Sequence, residues 1–78
     1  MVWKKGDIIK IINKGNYGDV FIAKIVDVYS DDTYTLKALL VIIPNKRTNY
    51  DVTIESDKED IIVKPSRKEL ELVMVEAL

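Results

Sequence analysis

Cysteine and histidine are both absent from the 78 residues. Without cysteine there is no disulfide framework, no thiolate metal site and no cysteine nucleophile, and nothing demands an oxidising compartment. Without histidine the chain also lacks the usual zinc ligand and the usual general base near neutral pH, so carboxylates, lysines and tyrosines carry its titration. An enzyme is not expected, and neither a metal nor another cofactor is expected. Long apolar runs are missing too. The longest, Ala38 to Pro44, is far too short to span a bilayer, and Met1 to Asp7 has no signal-like apolar segment, so a cytoplasmic protein without a membrane partner is expected. Glycine and proline are scarce, at three and two residues, and each sits where a turn is wanted. With no repeat, low-complexity segment or linker, residues 1–78 read as one domain. At this size folding buries roughly 60–65% of the surface of the unfolded chain.

Charge is nearly balanced, at a net −1, but unevenly placed. Residues 1–49 carry eight Lys/Arg against five acids and residues 50–78 four against eight, which reads either as two faces of one domain or as ordinary scatter.

What the sequence does have is a succession of β-prone segments. Gly6-Asp7 opens a run from Ile8 to Ile12, in which Ile9 and Ile11 are the better core residues. A second strand covers residues 20–29. Lys24 and Asp27 both suit solvent but stand three residues apart, which strict alternation forbids, so a bulge near Val26 is predicted with Phe21, Ala23, Ile25 and Val28 inward. Ser30-Asp31-Asp32 reads as a polar turn whose carboxylates accept backbone N–H groups, leading into a third strand from Thr33 to Ile43. There Tyr34, Leu36, Ala38, Leu40 and Ile42 share one face by parity, and Leu39, Val41 and Ile43 make the far end apolar on the other. Something must cover that second face, either the C-terminal segment or a second subunit held through Leu39, Val41 and Ile43.

Pro44 ends the strand and Asn45 to Asn49 form a polar, basic loop. Tyr50 to Glu55 alternates as a half-exposed strand with Tyr50, Val52 and Ile54 inward, and Ile61-Ile62-Val63 makes a short fifth strand ended by Pro65. The tail is ambiguous. Ser66 and Glu69 have capping-box spacing, while Glu69-Leu70-Glu71-Leu72 alternates and Val73-Met74-Val75 is β-prone. The reading adopted is one helical turn at Ser66–Glu69 followed by a strand of roughly 70–76, with a terminal helix as the alternative.

This succession resembles the small barrels grouped as SH3-like, especially the Tudor and KOW types. The specific match is Gly6-Asp7, Ile9, Ile11, then Lys14-Gly15, Gly18 and Val20, which is similar to the KOW pattern of ribosomal and transcription-elongation proteins, though shortened before the Lys-Gly pair; it covers about a fifth of the chain. The fold implied is all-β, a five- to six-stranded SH3-like barrel with a short helical turn before the last strand. In KOW proteins the glycine turn and its basic flank lie near RNA or a protein partner, which points to Lys14, Asn16 and Tyr17; the glycines equally serve to shape a tight turn. In Tudor domains an aromatic cage holds a methylated side chain by cation–π attraction. Tyr17 and Tyr50 would lie in neighbouring loops, and Trp3 or Tyr34 would have to complete such a cage; Trp3 equally suits a lid over one apolar end, and Tyr29 and Phe21 belong to the core or its rim.

Lys46 and Arg47, flanked by Asn45 and Asn49, form the most compact donor patch, or else a solvated hairpin tip. A sequence pI near 5.3 argues against strong binding driven by phosphate neutralisation. The acidic pairs Asp31-Asp32 and Asp57/Glu59/Asp60 read as solvated turns without the ligand spacing of a calcium loop. The expectation is therefore a non-catalytic module that binds a protein partner through Lys14, Asn16, Tyr17, Lys46, Arg47, Asn49 and Tyr50. A KOW-like nucleic-acid module is the alternative. A weaker one is an oligomeric enzyme, since plasmid-borne type II dihydrofolate reductases are similarly short barrels with a shared central pore; this chain carries Ile61-Ile62-Val63-Lys64 in place of their Val-Gln-Ile-Tyr signature. The Ile, Lys, Asn and Asp usage suits an AT-rich genome and an accessory protein of a phage or mobile element.

Overall fold

In the computed structural model, residues 3–14, 18–43 and 53–76 are described, with the side chains of 43, 53, 54, 75 and 76 left aside. Five strands, β1 (Ile8–Asn13), β2 (Asp19–Val28), β3 (Tyr34–Ile43), β4 (Thr53–Glu55) and β5 (Ile61–Val63), precede one helix, α1 (Arg67–Glu76). The strands form a single antiparallel sheet in the order β4-β3-β2-β1-β5, which among the described residues is open between its edges β4 and β5. The β character expected from the sequence is present, and no sixth strand occurs among the described residues. No helix among them is long and apolar enough to cross a membrane.

Two devices start the sheet. Gly6 takes φ +94, a left-handed conformation that suits glycine, and its N–H donates to Ile25 O at 2.8 Å while Ile25 N–H donates back to Asp7 O at 2.9 Å. The turn is also held by Lys4 N–H donating to Asp7 Oδ2 at 2.9 Å. At the far end of β2, Asp32 takes φ 63 in the turn to β3, and the Asp31 carboxylate accepts from both the N–H and the hydroxyl of Thr33, as predicted for this turn.

The register explains the two faces. Ile9, Ile11, Phe21, Ala23, Ile25 and Leu36 are fully buried, and with Tyr34 they make one cluster on one face. Trp3, Ala38, Val41 and Ile62 pack against this cluster. The predicted bulge is present: Ile25 pairs with Leu36 and Asp27 with Thr35, which leaves Val26 as the extra residue. Beyond it Val28 is exposed at 44%, a correction to its inward assignment, because the parity shift comes at the end of the sheet where nothing further covers the strand.

The far half of β3 corrects the reading by parity. Ala38 pairs with Ala23, Leu40 with Ile22, Val41 with Phe21 and Ile43 with Val20, so Leu39 and Ile42 are extra residues opposite β2. Each insertion exchanges the faces, so Val41, not Leu40 or Ile42, lies on the core side. Leu39 is half-buried, Val41 packs against the core, and Ile42 is 37% exposed. Leu39, Val41 and Ile43 are therefore not one continuous outward stripe.

The larger correction concerns the tail, where a ten-residue helix takes the place of the predicted last strand. Its start is a complete capping box: Ser66 N–H donates to Glu69 Oε1 at 2.8 Å and Glu69 N–H to Ser66 Oγ at 3.2 Å. The second oxygen, Glu69 Oε2, meets Lys10 Nζ at 2.8 Å, which ties α1 to β1 on the face opposite the core cluster. Arg67 and Glu71 add an exposed i,i+4 pair at 3.6 Å. The helix also contacts β3, and on that face Ile22 is fully buried, with Ile12 and Leu40 half-buried. The C-terminal segment thus lies against the second face at Lys10 and contacts β3.

The hydrogen bond from Lys10 and the N–H of Ser66 hold the Glu69 carboxyl below its ordinary value of 4.5. A carboxyl more acidic in the folded than in the unfolded chain stabilises the fold above the ordinary value, and the contribution is lost as pH falls through the folded one. Glu69→Gln is accordingly expected to cost about 1 kcal/mol at pH 7 and to flatten the acid limb of stability below about pH 4.5. Urea titrations of both chains between pH 3 and pH 7 check this.

Candidate functional site

The β1-β2 hairpin closes with Gly18 N–H donating to Asn13 O at 3.1 Å, and Gly18 takes φ +78. Directly inside this closure Asn13 and Asp19 are cross-strand partners on the core side, at 4% and 1% exposure. They are the buried polar residues among those described, and burial pushes the Asp19 carboxyl up. No buried side-chain nitrogen or oxygen among the described residues lacks a hydrogen-bond partner. A polar pair at the end of an apolar ladder fixes the width of the hairpin mouth without extending the hydrophobic surface into the loop.

Lys14 follows Asn13 immediately and is exposed, as a partner-contacting residue must be. Asn16 and Tyr17 fall in 15–17, and Lys46, Arg47, Asn49 and Tyr50 in 44–52, outside the described residues. The described ends of these segments do come together. Ile43, from which 44–52 departs, is the cross-strand partner of Val20, next to Asp19. One end of the β1-β2-β3 sheet thus launches both segments that hold the candidate residues.

Aromatic placement narrows what that end can be. Tyr34 is 6% exposed within the core cluster, so it does not complete a solvent-facing cage, and the half-buried Trp3 packs against that cluster. Phe21 is fully buried. Tyr29 is 44% exposed and its hydroxyl lies 2.6 Å from Thr35 Oγ1, but it follows β2 at the end opposite Asp19.

The acidic turns are occupied by their own backbone. Asp60 Oδ2 accepts from Asp57 N–H at 2.7 Å and Asp57 Oδ1 from Glu59 N–H at 3.4 Å, while the bonds from Thr33 hold the Asp31 carboxyl low. Among the described residues no group of three or more metal-ligating side chains converges. On the helix-bearing face Lys24 and Lys37 stand directly opposite one another, both exposed. Asn13 and Asp19 are the residues that sequence reasoning missed at this end, although period-2 parity from Ile9 and Ile11, and back from Phe21, reaches both. No protein-family model, curated protein or solved structure matches the chain.

Proposed function

We propose that this chain is a non-catalytic protein-interaction module built on a small SH3-like barrel, which engages its partner through the sheet end that carries residues 14–19 and 44–52. The observation that carries the reading is the register that sets Val20 opposite Ile43, since the described residues from which both polar segments depart then share one end of the sheet. The barrel reading is supported by the core: seven residues of β1, β2 and β3 are sealed, among the described residues, by Ala38, Val41 and Ile62 of the same sheet together with Trp3. A sheet that buries its own inner face in this way curls, and three register shifts between β2 and β3 supply the bending. The absence of histidine and cysteine supports a non-catalytic role. In this reading Tyr17 and Tyr50 give low-entropy contact area, and Lys14, Asn16, Lys46, Arg47 and Asn49 supply hydrogen bonds at the rim.

The test is capture of partners from host lysate by the purified chain, with and without nuclease, beside the variant Tyr17→Ala/Tyr50→Ala. The expected result is a protein that survives nuclease, is retained in added salt and is lost in the variant, while the variant's melting temperature stays within about 2 °C of the parent. Nucleic acid released by nuclease, with binding that falls steeply as salt rises, would overturn this reading in favour of the KOW-like one. A large drop in melting temperature would place the two rings in the core and remove them from the site.

A further inference from the structure

The edge strand β5 is self-complementary. It pairs with β1 on one side, Lys10 with Val63, Ile11 with Ile62 and Ile12 with Ile61, and among the described residues its other side is an edge of the sheet. The residues around it read Asp60-Ile61-Ile62-Val63-Lys64, which is nearly symmetric about Ile62 in size and antisymmetric in charge. When two copies of this strand are laid antiparallel with a twofold axis through Ile62, Asp60 of each copy faces Lys64 of the other, and Ile61 faces Val63. We propose that the outer edge of β5 is a homodimer interface, in which two copies of this chain join their sheets across that twofold axis.

Four features point to a second copy as the occupant. The charge pattern is complementary to itself in that one register, and a slip of two residues would set Lys64 against Ile62 or against Lys58. Ile61 and Val63 are 39% and 41% exposed on the helix-bearing face, whereas natural edges are more often guarded by charge within the strand. Ile62 is half-buried against the core, so pairing would bring the two cores together across the axis. Pro65, which cannot donate to a ladder, lies just beyond the matched segment and limits the pairing to it.

The turn before β5 fits the same arrangement. Asp60 N–H donates to Asp57 O at 3.0 Å and Asp60 Oδ2 accepts from Asp57 N–H, which holds this carboxylate at the strand entrance. Lys64 is exposed. The first turn of α1 stands beside this edge, because Glu69 is bonded to Lys10, the cross-strand neighbour of Val63, and Leu70, which follows Glu69, is 37% exposed. Dimerisation would bring further apolar surface close to the axis. The interface uses the edge at β5, and the pairing of Ile12 with Ile61 sets Asp60 at the same end of the sheet as Asn13.

Sedimentation equilibrium from about 10 μM to 1 mM tests the proposal, at low salt and with circular dichroism as a control for folding. The parent chain is expected to pass from monomer to dimer over this range. Lys64→Arg is expected to behave like the parent, and Lys64→Glu, which sets like charges against each other twice, to weaken the dimer about tenfold. Added salt should weaken the parent dimer and strengthen that of Lys64→Glu. Lys64→Glu mixed with Asp60→Lys should form a heterodimer more tightly than either associates with itself, since both ion pairs are then restored. A mass that stays monomeric throughout overturns the proposal, as does a parent dimer that Lys64→Glu leaves unchanged, because association would then use another surface.

Discussion

Phe21→Ala is expected to leave the chain only marginally stable at 25 °C. Phe21 is the largest fully buried side chain, at the centre of the sheet between Ile11 and Val41. Truncating a buried phenylalanine costs about 3–5 kcal/mol, transfer and cavity together. A domain this small sits near the low end of the usual range of about 5–15 kcal/mol, so the loss consumes most of its stability. The cavity has little prospect of collapse, because its walls are ladder strands whose positions are fixed by backbone hydrogen bonds. Urea titration followed by circular dichroism, together with amide dispersion in a one-dimensional proton spectrum, reads the result directly. A variant that keeps parent-like dispersion and loses under about 1 kcal/mol would mean that the core lies elsewhere than around this ring.

Ile22→Ala tests the other side of the sheet. Ile22 is as fully buried as Phe21 but faces the opposite way, level with Lys10 and Leu40 on the face that α1 approaches. A loss of about 2–5 kcal/mol is expected if the helix stays docked over it, and under about 1 kcal/mol if that face is in effect solvated. The two cases separate further in a double-mutant cycle with Glu69→Ala. Since Glu69 holds the helix down through Lys10, undocking by one substitution should remove part of what the other can cost, with a coupling of about 0.5–2 kcal/mol. Strict additivity would show that Ile22 is buried by something other than the helix.

How much of this was legible in the sequence depends on whether a segment is exposed on one face or buried on two. In β2 the spacing of Lys24 and Asp27 exposed the bulge at Val26, because a charged residue reports which side is wet. In β3 the run from Ala38 to Ile43 is apolar at every position, so alternation carries no information there, and the extra residues at Leu39 and Ile42 left no trace. The turns, the short β5 and the core of Ile9, Ile11, Phe21, Ala23 and Ile25 were readable from punctuation and period. The helix was not, although its capping box was seen. The alternation of Glu69 to Leu72 is a β signal, and what outweighs it is a long-range contact to Lys10, 59 positions earlier in the numbering of the chain. At the candidate site Lys14 is exposed as expected, while Asn13 and Asp19 are polar residues at core-side positions, where polarity at a strand end equally signals the start of a loop.

The double use of Glu69 has a consequence for how the molecule loosens. A helix of ten residues is too short to persist in water by itself, where about 12–15 are needed for even marginal helicity. One of its carboxylate oxygens caps the first turn and the other grips β1, so initiation and attachment are a single event. Residues 67–76 therefore have no intermediate condition: they are helical when seated and featureless when not. The end of the chain behaves as a gauge of its beginning, and any ligand, pH change or substitution that displaces Lys10 in β1 becomes visible as helix lost at the far terminus.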